Sequence, residues 1–169
     1  MQYVEITGAV NGTSAYVKGK CVGRDVTISL PEVAPVIAEV QAMGTTEIPL
    51  LGLLEAMEAS IKKIGVDNGL TKACTPESKI YEFRWVHTVT DASGASKQVG
   101  CKAVLRAMPK VIMAGVDIEP GSTVEAEIPL AATRYVLYVN GAEQLCIDKL
   151  AQVLRIDGKD YLSGINSLL

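Results

Sequence analysis

The sequence contains one histidine, His87, the side chain most often used to move protons or to hold a metal near neutral pH. A catalytic triad needs an acid and a nucleophile around it, and a zinc site needs further ligands. His87 instead lies in an alternating segment, where it shares a face with four aromatic and apolar residues, Tyr81, Phe83, Trp85 and Val89. A histidine packed for structural reasons is therefore favoured over a catalytic one.

Glu55 and Glu58 are the nearest thing to a catalytic carboxylate pair. In a strand their spacing places them on opposite faces, and in a helix they are ordinary solvated charges. The sequence has no glycine-rich phosphate-binding loop. Lys62-Lys63 is too short a basic run to hold DNA. The residues therefore predict no enzyme, no cofactor and no bound metal.

Composition indicates a core built from aliphatic residues. Of the 169 residues, 49% are apolar but only 5% are aromatic, and this length suits one domain with a sizeable core. The net charge of −3 argues against a nucleic-acid binder, which would show a basic stripe. Mean hydropathy is +0.25, yet no apolar run is long enough to span a bilayer, so we expect no stable membrane anchoring. We expect the surplus apolar surface to lie in contacts between subunits.

Residues 1–6 have neither a basic nor an apolar region of the kind that begins a signal peptide, so we expect none. The four cysteines are widely spaced and form no C-x-x-C pair: Cys21, Cys74, Cys101 and Cys146. Without a signal peptide, four reduced and buried thiols are expected rather than two disulfides.

Alternation of apolar and polar residues is clearest in the middle of the chain. Lys79–Thr90 predicts a strand, and Gln98–Met108 returns after a polar turn. Residues 123–130 alternate again. Residues 26–30 and 36–40 are shorter strand candidates. The regular spacing is typical of a sandwich or barrel.

Residues 133–161 combine three short strands with two tight turns. Asn140-Gly141 and Asp157-Gly158 tolerate positive φ and fit type I′ hairpin turns. The strands are Tyr135–Val139, Leu145–Ile147 and Val153–Ile156. This pattern predicts a β-meander that closes an all-β domain.

Two neighbouring segments predict their secondary structure less directly. Residues 42–52 indicate a connection marked by glycine and proline. Residues 53–63 are rich in helix formers and carry an apolar stripe at helical spacing, so taken alone they favour a helix. Asp67 is placed to cap a further short helix that ends before Thr75-Pro76.

The segment YVLYVNGAEQLCIDKLAQVLRIDGKDYL, residues 135–162, resembles the C-terminal end of the major tail tube proteins of contractile phage tails and R-type bacteriocins. Those chains end on a strand, a VNG- or VDG-type turn, an L-x-I-D strand, an apolar link and an (I/V)(D/N)G turn. The resemblance runs from about Leu30 to Leu169 in the order of elements and is weak before residue 25.

The resemblance implies a mainly β fold, with two packed antiparallel sheets in a sandwich or barrel and one short α-helix packed on it. It implies a single domain over 1–169, with residues 1–20 as an N-terminal arm or first strand and residues 133–169 as the meander and tail. It also implies that residues 53–63 are a long strand, with three residues facing inward: Met57, Ala59 and Ile61.

The function implied is that of a structural subunit of the inner tube, assembled into stacked hexameric rings and driven through the target envelope when a sheath contracts. The implied partners are further copies of the chain and the sheath, baseplate, tape-measure and tail terminator proteins, with DNA or ions passing through the lumen. Assembly is expected in the bacterial cytoplasm, and the product is a virion tail or a released bacteriocin particle.

We expect the strands at 36–41, 53–63, 79–90 and 98–108 to build the inner barrel. Their polar residues are then expected to meet the lumen or a neighbouring subunit: Glu55, Glu82, Arg84, Lys102 and Arg106. Ring-to-ring contacts are expected from the N-terminal arm and from four residues of the 42–52 segment: Met43, Gly44, Glu47 and Pro49.

Two alternatives remain open at this point. One is the related hexameric tube of type VI secretion, which delivers effectors. The other is a small-ligand β-barrel, which predicts a monomer with an enclosed apolar pocket.

Overall fold

The computed structural model describes residues 5–169. The elements within this range are β1 (Ile6–Val17), β2 (Lys20–Arg24), β3 (Thr27–Ser29), β4 (Pro35–Gln41), β5 (Thr45–Leu54), β6 (Met57–Ile64), α1 (Asn68–Cys74), β7 (Lys79–Thr90), β8 (Ser96–Pro109), β9 (Glu125–Val139), β10 (Ala142–Asp148), β11 (Val153–Ile156), β12 (Lys159–Asp160) and α2 (Ser163–Asn166). The mainly β prediction is confirmed. The expectation of a single helix was wrong, because the tail forms the short α2.

Ten strands form one antiparallel sheet: eight lie in the order β12-β11-β10-β9-β8-β7-β1-β2, β6 joins through β9, and β3 pairs with β6. β9 is the shared strand. Along one edge it pairs first with β6 and then with β10, while its C-terminal half pairs with β8 on the other edge. The sheet therefore folds over itself like a sandwich and does not close into a barrel.

The core lies between the layers that β9 joins. Residues 53–63 do not form the helix that their composition favours, because β6 occupies most of this stretch and pairs with β3 and β9. The three residues expected to face inward are buried: Met57, Ala59 and Ile61. They share one apolar cluster with Phe83 of β7 and Leu105 of β8. Tertiary packing here overrides helix propensity.

Helix α1 begins where the sequence predicts. The Leu70 N–H donates to Asp67 Oδ1 at 3.0 Å, which confirms Asp67 as the N-cap. At the other end, Tyr81 Oη donates to the Ala73 carbonyl at 2.7 Å, and the Lys79 ammonium donates to the Lys72 carbonyl. Strand β7 thus satisfies the last carbonyls of the helix, which lie buried against the sheet.

The two hairpin turns of the meander are confirmed, since Asn140 has φ 51° and Asp157 has φ 49°, each followed by a glycine at positive φ. The predicted strands at 123–130 and 135–139 are one continuous strand, β9. Pro129 lies in the interior of β9, and its carbonyl accepts from Lys110 N at 2.9 Å. In an antiparallel strand the N–H and the carbonyl of one residue point to the same side. The N–H that proline lacks would therefore face the side on which β8 has already ended at Pro109, so proline is tolerated there.

Two further expectations need correction. Most of residues 42–52, predicted as a connection, belong to strand β5. Because β5 pairs only with β4, its other edge is free, and a proline such as Pro49 need not remove a ladder bond there. Cys21 is exposed, since it lies on the outward side of β2 while Val22 points inward; the other three thiols are buried and all four are free. Within residues 1–20, predicted as an N-terminal arm or first strand, Ile6–Val17 forms β1, and residues 1–4 lie outside the described range.

Candidate assembly surfaces

The β4–β5 hairpin forms a two-stranded sheet apart from the main one, and its two faces differ in character. Cross-strand pairing places Val36 opposite Leu50 and Ala38 opposite Ile48, with Val40 further along the same side. We call these five residues the apolar hairpin face. Val40 and Ile48 are each 43% exposed, so the chain leaves this face uncovered.

The opposite side of the hairpin carries the acidic residues, together with Ile37, which is 52% exposed and lies opposite Pro49. Glu39 lies directly opposite Glu47, and Gln41 lies opposite Thr45. Like charges in a direct cross-strand pair destabilise a hairpin in isolation. The sequence has no lysine or arginine between Arg24 and Lys62, so every charge on the hairpin is negative. The apolar and acidic faces together describe an element suited to docking rather than to free solution.

The tip of the hairpin is a tight turn in which Met43 has φ 53° and Gly44 has φ 113°. The Ala42 N–H donates to the Gly44 carbonyl at 2.8 Å, and the Met43 side chain is fully exposed. Of the predicted ring-contact residues, these two lie at the tip, while Glu47 and Pro49 lie on the acidic side of β5. The structure therefore places all four on one projecting element.

The base of the hairpin is tied to the body at a few points. Lys149 Nζ donates to the Glu55 carbonyl at 3.0 Å, while the bond from Glu55 N to the Ala34 carbonyl, also 3.0 Å, joins the two ends of the hairpin to each other. A β-carbon built on Gly52 would lie 3.6 Å from Ile165 Cδ1, so α2 packs against β5 there. These contacts hold the base and leave the tip projecting.

A second surface is the outward face of β7 and β8, which carries four of the five predicted lumen or inter-subunit residues. Arg84 lies directly opposite Lys102; along the same face, Glu82 belongs to the next cross-strand pair and Arg106 to the one after it. Glu55 does not join them, because it falls between β5 and β6 and takes part in holding the hairpin. The structure thus brings four of these side chains together.

Most charges on this face have partners. Arg84 forms an ion pair with Glu82, which raises the pKa of the guanidinium, and it also stacks on the Tyr16 ring with its Cζ 4.6 Å from the centroid. Lys102 Nζ lies 4.9 Å from the centroid of the Tyr138 ring. This face is therefore an ordered polar surface, on which most charged side chains are held by specific partners.

A third feature is an apolar groove of about 350 Å³ between β1, β3 and β7. We call it the Trp85 groove. Its main lining residues are Val10, Val26, Thr27, Ile28, Leu30 and Trp85. Sequence analysis missed this groove and the apolar hairpin face. The signal that could have found the latter was the alternation on both sides of Met43-Gly44.

Nothing in the described range resembles a reaction centre. His87 Nδ1 lies 3.4 Å from Cys101 Sγ, and burial raises the pKa of that thiol, so it is poorly suited to act as a nucleophile. No group of three or more potential ligands for a metal occurs among residues 5–169. A cleft of about 760 Å³ is open and lined mainly by polar residues, unlike the enclosed apolar pocket of a ligand barrel. No helix in this part of the chain is long and apolar enough to cross a membrane.

The fold is thus a β-sandwich with a projecting hairpin and ordered polar surfaces, and the described residues contain no reaction centre. The family model of phage tail tube protein FII matches residues 8–169. The chain belongs to this family, which confirms the resemblance seen in the sequence and makes it a structural subunit of a tail tube.

Solved structures share the fold. A chain of the PVC sheath–tube complex, from an extracellular contractile injection system in the extended state, has a TM-score of 0.51 and 16% identity over 75% of this chain and 87% of that chain. A chain of the sheath/tube terminator of the same system has a TM-score of 0.50 and 15% identity, covering 75% and 92%. No curated protein has a sequence that matches this chain.

Proposed function

We propose that this subunit forms hexameric rings that stack into the inner tube of a contractile particle. Family membership supports the tube, and the fold shared with chains of a sheath–tube complex and of a sheath/tube terminator supports a contractile particle. In this proposal a sheath surrounds the tube and drives it through the target envelope, and the subunit itself performs no catalysis.

The observation that carries the proposal is the uncovered apolar face of the β4–β5 hairpin. A two-stranded hairpin is marginally stable alone, and one with exposed Val40 and Ile48 leaves apolar area in water. Free strand edges are a liability unless another chain pairs with them. Contacts between two different surfaces of identical subunits generate rings or stacks, so a neighbouring copy can cover what each chain leaves open.

The finer assignments follow from this arrangement. We propose that the tip residues Met43 and Gly44, with Glu47 and Pro49, contact the next ring. The outward face of β7 and β8 then meets the lumen or a neighbouring subunit through Glu82, Arg84, Lys102 and Arg106. Glu55 is a weaker candidate, because it lies between β5 and β6 and not on this face.

The same proposal covers partners and location. Baseplate, tape-measure and terminator proteins border the tube at its ends and in its lumen, and DNA or ions pass through it. Assembly takes place in the bacterial cytoplasm, and the product is a virion tail or a released bacteriocin particle. The whole of residues 1–169 acts as one tube domain.

Electron microscopy of tails purified from the producing cell tests this proposal. A tube built of six-subunit rings that contains this chain is the expected result. The variant Ile48→Asp should abolish incorporation, because it places a charge on the apolar hairpin face. Ile112→Asp is the matched control, since Ile112 is an exposed isoleucine outside the hairpin. Tails that lack this chain, or tubes that form normally with Ile48→Asp, would contradict the proposal.

A further inference from the structure

We propose that the apolar hairpin face of one subunit docks in the Trp85 groove of a neighbouring copy. This inference rests on the proposed tube function and names the surface that receives the hairpin. The two surfaces are different parts of the chain, so the contact is head-to-tail and can propagate.

The first argument is the match between two uncovered apolar surfaces. Val26 and Ile28 line the groove from the β3 side, Trp85 lies at its β7 wall, and Trp85 is only partly buried. The hairpin offers Val40 and Ile48, which are large enough to fill such a groove. Covering both surfaces at once removes apolar area from water on each partner.

The second argument is backbone pairing. β3 pairs with β6 along one edge only, so its other edge carries no strand partner among the described residues. Each strand of the hairpin also has a free edge, because β4 and β5 pair only with each other. A hairpin laid along Thr27–Ser29 would extend the sheet while its apolar side chains enter the groove, which is the β-augmentation mode of recognition.

The third argument is charge, which separates this groove from the larger cleft of the molecule. That cleft is lined by Asp117, Glu125 and Glu127 against a single cation, Lys62, and would repel a hairpin with only negative charges. The residues of the described chain that line the Trp85 groove carry no charge, so a hairpin with only negative charges meets no like charge there.

A mixing experiment with the full chain tests the inference. The hairpin variant is Ile48→Asp, and the groove variant is Thr27→Glu, both at exposed positions. Each variant alone should associate at least about tenfold more weakly than the natural chain. When the two variants are mixed, they should form heterodimers but no larger assemblies. The hairpin variant keeps an intact groove and the groove variant keeps an intact hairpin, so each pair can make one productive contact.

Sedimentation of each variant and of the mixture supplies the readout, with circular dichroism to show that both variants fold. Trp85 is the only tryptophan of the chain, so its emission should move to shorter wavelength in the mixture and not in either variant alone. The control variant Ile112→Asp should associate like the natural chain.

A cross-linking experiment detects the contact even when it is weak. Single cysteines at Ile48→Cys and Thr27→Cys are placed in separate chains on a Cys21→Ser background. Oxidation should join position 48 to position 27 faster than it joins like positions or a cysteine at Ile112. Equal rates, or a groove variant that assembles as the natural chain does, would overturn the docking. If native tubes still contain the chain, the proposed function stands without it.

Discussion

The β7–β8 hairpin and the β4–β5 hairpin are built on the same period-two pattern but differ in what covers their apolar faces. On β7–β8, the inward side chains Phe83 and Leu105 are fully buried in the core. On β4–β5, the equivalent Val40 and Ile48 stay 43% exposed. The alternation is less regular in β4–β5, where Val36-Ile37-Ala38 and Leu50-Leu51 are consecutive apolar residues, but the main difference lies in the partner that covers each face.

This contrast separates stability from assembly. The first hairpin is completed by β1 and β9 of its own chain, and substitutions there should change the free energy of unfolding. The second makes few contacts outside itself, and substitutions there should change association between copies. The following substitutions test this separation, in decreasing order of their expected effect on the free energy of unfolding.

Phe83→Ala should be the most destabilising. Phe83 is fully buried, and removing such a ring from a packed core typically costs about 3–5 kcal/mol. Urea denaturation followed by circular dichroism measures the loss. Ile80→Ala on the same strand is the control, since Ile80 points outward and is 47% exposed, and it should cost less than about 1 kcal/mol. Equal losses in the two variants would contradict the assignment of faces.

Tyr81→Phe should cost about 1–3 kcal/mol, because the buried Ala73 carbonyl at the end of α1 loses its donor. Chemical denaturation measures this loss. Tyr161→Phe, at an exposed tyrosine, should leave the free energy of unfolding nearly unchanged. A neutral Tyr81→Phe would show that the hydroxyl does not hold the helix to the sheet.

The same tyrosine predicts a pH dependence. Burial raises the pKa of Tyr81 well above its ordinary value of 10.0, so the unfolded chain releases this proton before the folded one does. Its stabilising contribution is complete below pH 10 and is lost as the pH rises beyond it. Stability measured from about pH 8 to 11 should fall less steeply in Tyr81→Phe than in the natural chain. A parallel fall in both would remove Tyr81 as the cause.

Asp67→Ala should cost about 0.5–2 kcal/mol, because α1 loses its N-cap. The Lys63 side chain, donating to Asp67 Oδ2 at 2.8 Å, lowers the pKa of this carboxyl below its ordinary 3.8. The contribution is therefore present above that value and is lost as the pH falls below it. Asp67→Asn keeps a capping oxygen and should lose less. Acid denaturation of the three proteins measures both effects, and identical acid midpoints would contradict them.

Ile48→Asp should change the free energy of unfolding by no more than about 0.5 kcal/mol, because the side chain has little to lose within its own chain. Denaturation curves that coincide with those of the natural chain, together with lost association in sedimentation, are the expected pair of results. A large destabilisation would mean that the hairpin is packed by its own chain after all.

Sequence reasoning was most successful where one chain supplies both sides of a contact. The Asp67 cap, the two glycine turns and the alternation of β7 and β8 all depend on local geometry or on the core of this chain. The conformation of residues 53–63 could not be predicted from the residues alone, because a strand there needs β3 and β9 as neighbours and the composition favours a helix. The family resemblance, not the residues, gave the correct answer.

The β4–β5 hairpin was missed for a related reason. Glycine and proline around Met43 and Pro49 indicate a loop, and no buried face exists within the chain to reveal two strands. Of the predicted contact residues, Glu82, Arg84, Lys102 and Arg106 do share a surface, because strand parity determines a face. Which partner that face meets depends on other subunits, and one sequence does not specify it.

Hydrogen exchange, measured on free subunits and on assembled tubes, tests the central claim most directly. Amides of β7 and β8 should be protected in both states, because their partners belong to the same chain. Amides of β4 and β5 should exchange quickly in the free subunit and become protected only in the tube. A hairpin equally protected before assembly, or still unprotected in the finished tube, would contradict the account.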